Sequence, residues 1–89
     1  MQKQLHIKIK GDVVGVFFRA SAQKRAKELG LTGWARNANG GVEIVAQGEE
    51  TQLQEFLNWC KQGPKWAKVE KVDVEWEESD KLLRDFKIK

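Results

Sequence analysis

The segment at residues 11–19, GDVVGVFFR, has the composition of an anion-binding loop. Its two glycines are separated by apolar residues, and it lies between a strand-like segment and a helix-like segment. A loop that ends at a helix N-terminus can direct several backbone N–H groups at one point, where the helix dipole adds positive potential. Arg19 adds a permanent charge and a planar guanidinium that can hold a phosphate through two hydrogen bonds. The segment therefore predicts a phosphate-binding site over residues 13–19.

The composition of the chain limits the kind of protein that carries this site. Its 89 residues are enough for one domain with a modest core, so we expect a single domain over residues 1–89. The chain contains no long apolar run of the kind that a signal peptide or a membrane span requires. Its single cysteine, Cys60, cannot form an internal disulfide. Both observations favour the cytoplasm. The net charge of +3 suits a small anionic substrate better than nucleic acid.

Hydrophobic periodicity predicts the strands and helices that would position the loop. Residues 5–10 alternate apolar and polar side chains, as a half-buried strand does. Asn and Gly at residues 38–41 favour a hairpin turn, because both tolerate positive φ. The predicted strands cover residues 5–10, 31–37, 42–47, 69–76 and a short segment ending at Ile88, while one helix covers residues 20–29 and a second ends before Gly63.

The ends of the two helices carry recognisable signals. Gly30 is expected to close the first helix, and Gly63 followed by proline is expected to stop the second. Thr51 and Gln54 predict a capping box at the start of the second helix. The apolar face of that helix is predicted to consist of Leu53, Phe56, Leu57 and Cys60.

The element order β-α-β-β-α-β predicts an α+β ferredoxin-like fold, with one antiparallel sheet, two helices on one face and a short extra C-terminal strand. In this topology the first two strands run parallel, with the third strand between them. Their C-terminal ends then lie at the same edge of the sheet. The first end opens into the glycine loop, and the second carries Arg36 and Asn37. We therefore expect Asn37 to lie close to the predicted phosphate site.

Two segments resemble the signatures of the acylphosphatase family. The first is GDVVGVFFR at residues 11–19, and the second is GWARNANGGVEIVAQG at residues 33–48. Domain length and element order also agree with that family. The resemblance implies an enzyme that hydrolyses acyl phosphates, the mixed anhydrides of a carboxylic acid and phosphoric acid, without a metal or other cofactor. One departure is Val14, where the family usually has Gln.

The resemblance also implies the roles of individual residues. Arg19 would bind the phosphoryl group, and Asn37 would orient the attacking water. Acylphosphatase activity would make inorganic phosphate a product and an inhibitor. Apart from the resemblance, a monomer is the default expectation for a domain without an obvious exposed apolar stripe, and we expect no nucleic-acid or membrane partner. The backbone N–H groups expected to hold the phosphoryl oxygens are those of Val14, Gly15, Val16, Phe17 and Phe18.

Two alternative functions remain open from the sequence. Ferredoxin-like domains can bind RNA through exposed aromatic residues on the open sheet face, and Trp34 is a candidate for such a contact. No RNP-like aromatic strand motif accompanies Trp34, which weighs against this alternative. The second alternative is a non-catalytic anion sensor that keeps the phosphate loop, an interpretation that Val14 leaves open.

Overall fold

The computed structural model describes residues 2–79 and 81–89, so Met1 and Asp80 of the predicted domain lie outside the described residues. The described elements follow the order that the sequence predicts. In chain order they are β1 (Lys3–Asp12), α1 (Phe18–Glu28), β2 (Thr32–Ala38), β3 (Gly41–Gly48), α2 (Glu50–Gln62), β4 (Lys68–Glu78) and β5 (Phe86–Ile88).

The strands form one sheet in the order β4-β1-β3-β2-β5. Strand β3 is antiparallel to both β1 and β2, so β1 and β2 run parallel to each other as predicted. Strand β5 pairs in parallel with β2, from Gly33 opposite Phe86 to Ala35 opposite Ile88. The sheet is therefore antiparallel through β1–β4 and mixed at one edge. The chain reaches that edge by crossing from β4, which forms the opposite edge.

A single core lies between one face of the sheet and the two helices. Alternate residues of β1 enter it, namely Leu5, Ile7 and Ile9, which are fully buried or nearly so. Both helices pack against this face, while the other face of the sheet is open. The predicted apolar face of α2 is confirmed, because all four of its residues are buried: Leu53, Phe56, Leu57 and Cys60.

Helix α1 begins two residues earlier than its periodicity predicts. Phe18 is buried and its ring packs against Trp59 of α2, with ring centroids 5.5 Å apart. This contact holds the Phe18 ring between the two helices, and Phe18 forms part of the first turn of α1. The helix ends at Glu28, and Gly30 follows its last turn with φ of 73°. Gly30 thus supplies the left-handed conformation that often ends a helix.

The predicted capping box of α2 is wrong. The helix begins at Glu50, so Thr51 lies inside its first turn and is not the capping residue. The other end of α2 agrees with the prediction, because Gly63 is the C-cap and has φ of 70°.

A buried amide fastens the β4–β5 connection to the sheet. Gln47 of β3 is only 2 % exposed. Its Nε2 donates a hydrogen bond to the carbonyl oxygen of Lys81 over 2.7 Å, and its Oε1 accepts one from the backbone N–H of Leu83 over 2.8 Å. These bonds satisfy a buried polar side chain. They also direct the chain toward β5, the strand that borders the site described below.

Candidate active site

The ends of β1 and β2 meet at one edge of the sheet, as their parallel arrangement requires. Strand β1 ends at Asp12, after an irregularity in its register with β4 between Lys10 and Gly11. The loop at residues 13–17 then leads directly into α1. Strand β2 ends at Ala38, so Asn37 is its second-last residue. The fold therefore brings the glycine loop, the N-terminus of α1 and Asn37 to the same edge.

A cavity of about 220 Å³ lies at this edge. Arg19 and Asn37 both line it, although 18 positions separate them in the sequence. Among the described residues of its lining, Arg19 carries the only charged side chain. The cavity therefore has a positive centre in mostly apolar surroundings. The full lining consists of Val13, Gly15, Phe17, Phe18, Arg19, Ala20, Asn37 and Ile88.

Two residues of the loop have left-handed backbone conformations. Gly15 has φ of 80°, and a side chain added there would project into open space rather than into the protein. Phe17 has φ of 61° and is the N-cap of α1. The first turn of α1 contains no acidic residue, so no carboxylate of that turn offsets the positive end of the helix dipole. This end of the cavity suits an anion.

The structure separates the five predicted amide donors into two groups. Gly15, Phe17 and Phe18 line the cavity. Val14 and Val16 are not part of its lining: the Val14 side chain is 44 % exposed, and Val16 packs against the core. The amide roles of all five residues remain predictions.

Arg19 lies in the first turn of α1 and is half-buried. Its Nη1 donates a hydrogen bond to the backbone oxygen of Lys89 over 3.2 Å. Lys89 follows β5, and Ile88 of that strand lines the cavity. Sequence reasoning missed both residues, because no local signal shows where a three-residue strand pairs.

Asn37 lies on the helix-covered side of the sheet. Ala35 is fully buried in the core, and side chains two residues apart on a strand point to the same face. The Asn37 side chain is exposed and has no hydrogen-bond partner among the described residues. Its carbonyl oxygen and amide nitrogen are therefore free to bind water or a ligand.

The open face of the sheet carries a separate group of charged residues. Glu43 is buried, and its carboxylate lies 2.5 Å from His6 Nε2 and accepts a 2.7 Å hydrogen bond from Arg36 Nε. The hydrogen bond with His6 and the bond and charge of Arg36 outweigh burial and lower the pKa of Glu43 below its ordinary value. His6 thus lies away from the cavity and is not part of its lining. Trp34, on the same face, packs beneath Arg36 at 5.3 Å and is not part of the cavity lining.

Residues 2–79 and 81–89 contain neither a metal-binding cluster nor a membrane-spanning helix. In this part of the chain, no group of three His, Cys, Asp or Glu side chains is arranged to hold a metal ion. Neither helix combines the length and the apolar character that crossing a bilayer requires.

Comparison with known proteins identifies the family. The family model described as Acylphosphatase matches residues 5–88, which is nearly the whole chain. The chain belongs to the acylphosphatase family. An acylphosphatase of Roseiflexus sp. (strain RS-1) is 48 % identical over 84 residues, which cover 93 % of this chain and 90 % of the relative.

Solved acylphosphatase structures share the fold described above. An acylphosphatase from Coxiella burnetii superposes with a TM-score of 0.93 at 39 % identity, covering 99 % of this chain and 93 % of the other. The acylphosphatase from Bacillus subtilis also gives a TM-score of 0.93, at 37 % identity and 97 % coverage of both chains. The acylphosphatase family and the ferredoxin-like fold that the sequence predicts are therefore both confirmed.

Proposed function

We propose that this acylphosphatase hydrolyses the carboxyl–phosphate bond of acyl phosphates to a carboxylate and inorganic phosphate without a metal ion. In this proposal Arg19 and the loop amides hold the phosphoryl group, and Asn37 orients the attacking water. One observation supports it most strongly: Arg19 and Asn37 line the same cavity as the glycine loop, although they come from different elements. As a member of its family the chain is an enzyme, and its reaction is acyl phosphate hydrolysis.

The proposed phosphoryl site matches the charge of the transition state. Phosphoryl transfer needs positioning and electrostatic stabilisation more than covalent help, because charge spreads over three equatorial oxygens. The Arg19 guanidinium would donate to these oxygens, with its orientation supported by Lys89. The other donors in this proposal are the backbone N–H groups of Val14, Gly15, Val16, Phe17 and Phe18.

The proposed role of Asn37 follows from its chemistry. An amide carbonyl oxygen accepts a hydrogen bond from water but is a poor base, so Asn37 would fix the direction of attack rather than remove a proton. The leaving group is a carboxylate, which needs no protonation to depart. The reaction therefore needs no general acid, and the described lining of the cavity contains no obvious one.

Val14 would serve through its backbone alone. Its side chain is exposed and lies outside the cavity lining, so replacing Gln by Val there leaves the main-chain donor in place. We therefore expect Val14→Gln to change turnover only slightly.

Phosphate binding measured beside turnover separates the two proposed roles. Titration with inorganic phosphate should show that Arg19→Ala loses affinity, whereas Asn37→Ala binds phosphate nearly as well as wild type. Turnover of an acyl phosphate in the presence of EDTA should fall on the order of 10²–10³-fold in each variant. Lys24→Ala, an exposed cation on the same helix, is the matched control and should behave as wild type. Equal loss of phosphate affinity in the Asn37 variant, or turnover that requires Mg²⁺, would contradict the proposal.

We also propose that the enzyme is a monomer, that it works in the cytoplasm and that it needs no nucleic-acid partner. Sedimentation at micromolar concentration should give the mass of one chain, with or without phosphate. A mobility shift with RNA at physiological salt should be absent, because the mild net charge gives weak electrostatic attraction. Tight, salt-sensitive RNA binding would favour the alternative function instead.

A further inference from the structure

The cavity has an apolar mouth beside its phosphate-binding end. Phe17 is 81 % exposed, and Ile88 is 41 % exposed. Both side chains line the cavity, although Phe17 precedes α1 and Ile88 belongs to β5. Lys89, the next residue after Ile88, holds Arg19. The two apolar side chains therefore border the group proposed to bind the phosphoryl oxygens.

The backbone conformation of Phe17 is a second observation that points to a ligand contact. A bulky residue with positive φ is a conformational outlier, and strained residues of this kind concentrate at ligand sites. The Phe17 carbonyl accepts a hydrogen bond from Ser21 N–H over 3.0 Å, so the start of α1 fixes the backbone that carries the ring. The neighbouring Phe18 fills the core, so the Phe17 ring is not needed there.

We propose that Phe17 and Ile88 contact the acyl group of the substrate, so that the enzyme favours acyl phosphates with an aromatic or bulky aliphatic acyl group over acetyl phosphate. This inference rests on the proposed function. When the phosphoryl group lies on Arg19 and the loop, the rest of the substrate extends from the same cavity. An aromatic acyl group would remove the exposed apolar surface of Phe17 from water, whereas an acetyl group is too small to cover the ring.

Steady-state kinetics with two substrates test the inference. We expect Phe17→Ala to lower kcat/KM for benzoyl phosphate about tenfold, mainly through KM, because lost apolar contacts weaken binding by this order. The loss for acetyl phosphate should be clearly smaller, so the preference for benzoyl phosphate falls. Phe17→Leu keeps an apolar side chain and should retain part of the preference, and Ile88→Ala should reduce it in the same direction.

Trp66→Ala is the matched control, because Trp66 is 73 % exposed and lies outside the cavity lining. Trp66→Ala should leave kcat/KM for both substrates, and the ratio between the two values, unchanged. Equal losses for the two substrates in Phe17→Ala, or no change in either, would overturn the inference while leaving the proposed function in place. Absence of any Arg19-dependent turnover of either substrate by the wild-type enzyme would overturn the proposed function as well.

Discussion

Arg19 Nη1 donates a hydrogen bond over 3.2 Å to the backbone oxygen of Lys89, which lies 70 positions further along the chain. Lys89 is itself held by the sheet, since its backbone N–H donates to the carbonyl oxygen of Ala35 over 2.9 Å. Two consecutive hydrogen bonds therefore connect β2 to the guanidinium. This connection limits the orientations available to Arg19, which is the residue proposed to bind the phosphoryl group.

Deleting Lys89 should weaken catalysis while leaving the protein folded. The deletion removes the acceptor for Arg19, and a hydrogen bond of this kind contributes about 1 kcal/mol, which corresponds to roughly a fivefold loss in kcat/KM. Lys89→Ala keeps the backbone acceptor and should stay near wild type. Kinetics of the two variants side by side would contradict this account if the alanine variant lost as much activity as the deletion.

The group formed by His6, Glu43 and Arg36 should make stability depend on pH. The pKa of Glu43 is lowered in the folded protein, so its contribution to stability is present above the ordinary value of 4.5 and is lost as pH falls through the folded value. Glu43→Gln should therefore lower the free energy of unfolding by about 1–3 kcal/mol at pH 7. The difference from wild type should be smaller near pH 3 than at pH 7, because protonation of the carboxylate below its ordinary pKa of 4.5 progressively removes this contribution.

Urea unfolding at the two pH values measures this difference. Glu75→Gln is a suitable control, because Glu75 lies opposite His6 on β4 but is exposed. It should change stability little at either pH. A Glu43→Gln penalty of the same size at pH 7 and pH 3 would show that the lost interaction does not depend on the carboxylate charge.

Gly33 should tolerate substitution far less than Gly30, although both have positive φ. A Cβ at Gly33 would lie 1.8 Å from the carbonyl oxygen of Val45, whereas one at Gly30 would meet no atom within 4 Å. Gly30→Ala carries only the conformational penalty of about 1 kcal/mol. Gly33→Ala adds a backbone clash between β2 and β3 and should cost more than about 3 kcal/mol. Thermal unfolding of the two variants ranks them directly, and similar losses would refute the clash.

The Cys60 thiol should be unreactive in the folded protein. It is fully buried on the core face of α2, and burial raises the pKa of its thiol, so little thiolate forms at neutral pH. Reaction with a thiol reagent such as DTNB should therefore be slow in buffer and fast in denaturing urea. Rapid labelling of the native enzyme, at the rate of a free thiol, would place Cys60 at the surface instead.

The parts of the structure that depend on local patterns could be predicted from the sequence. Helix α2 is one example, because the spacing of Leu53, Phe56, Leu57 and Cys60 directly marks one buried face. The meeting of Asn37 with the glycine loop is another, since it follows from the parallel course of β1 and β2. Both features are set by periodicity and by the element order.

The parts that depend on distant contacts could not be predicted. Helix α1 includes Phe18 because Phe18 packs on Trp59, which lies 41 positions away. The positions of Ile88 and Lys89 depend on β5 pairing with β2 after the chain crosses the sheet. Three residues of strand carry too little pattern to specify such a partner. Consequently the apolar mouth of the cavity and the support of Arg19 became visible only in the structure.

Hydrolysis of benzoyl phosphate in the presence of EDTA tests the central claim most directly. The comparison is between wild type, Arg19→Ala and Asn37→Ala, each shown by circular dichroism to be folded. We predict fast wild-type turnover and a loss on the order of 10²–10³-fold in both variants, because each removes a group that we propose acts at the reacting phosphorus. A folded wild-type protein without turnover, or a folded variant that keeps wild-type turnover, would contradict the account.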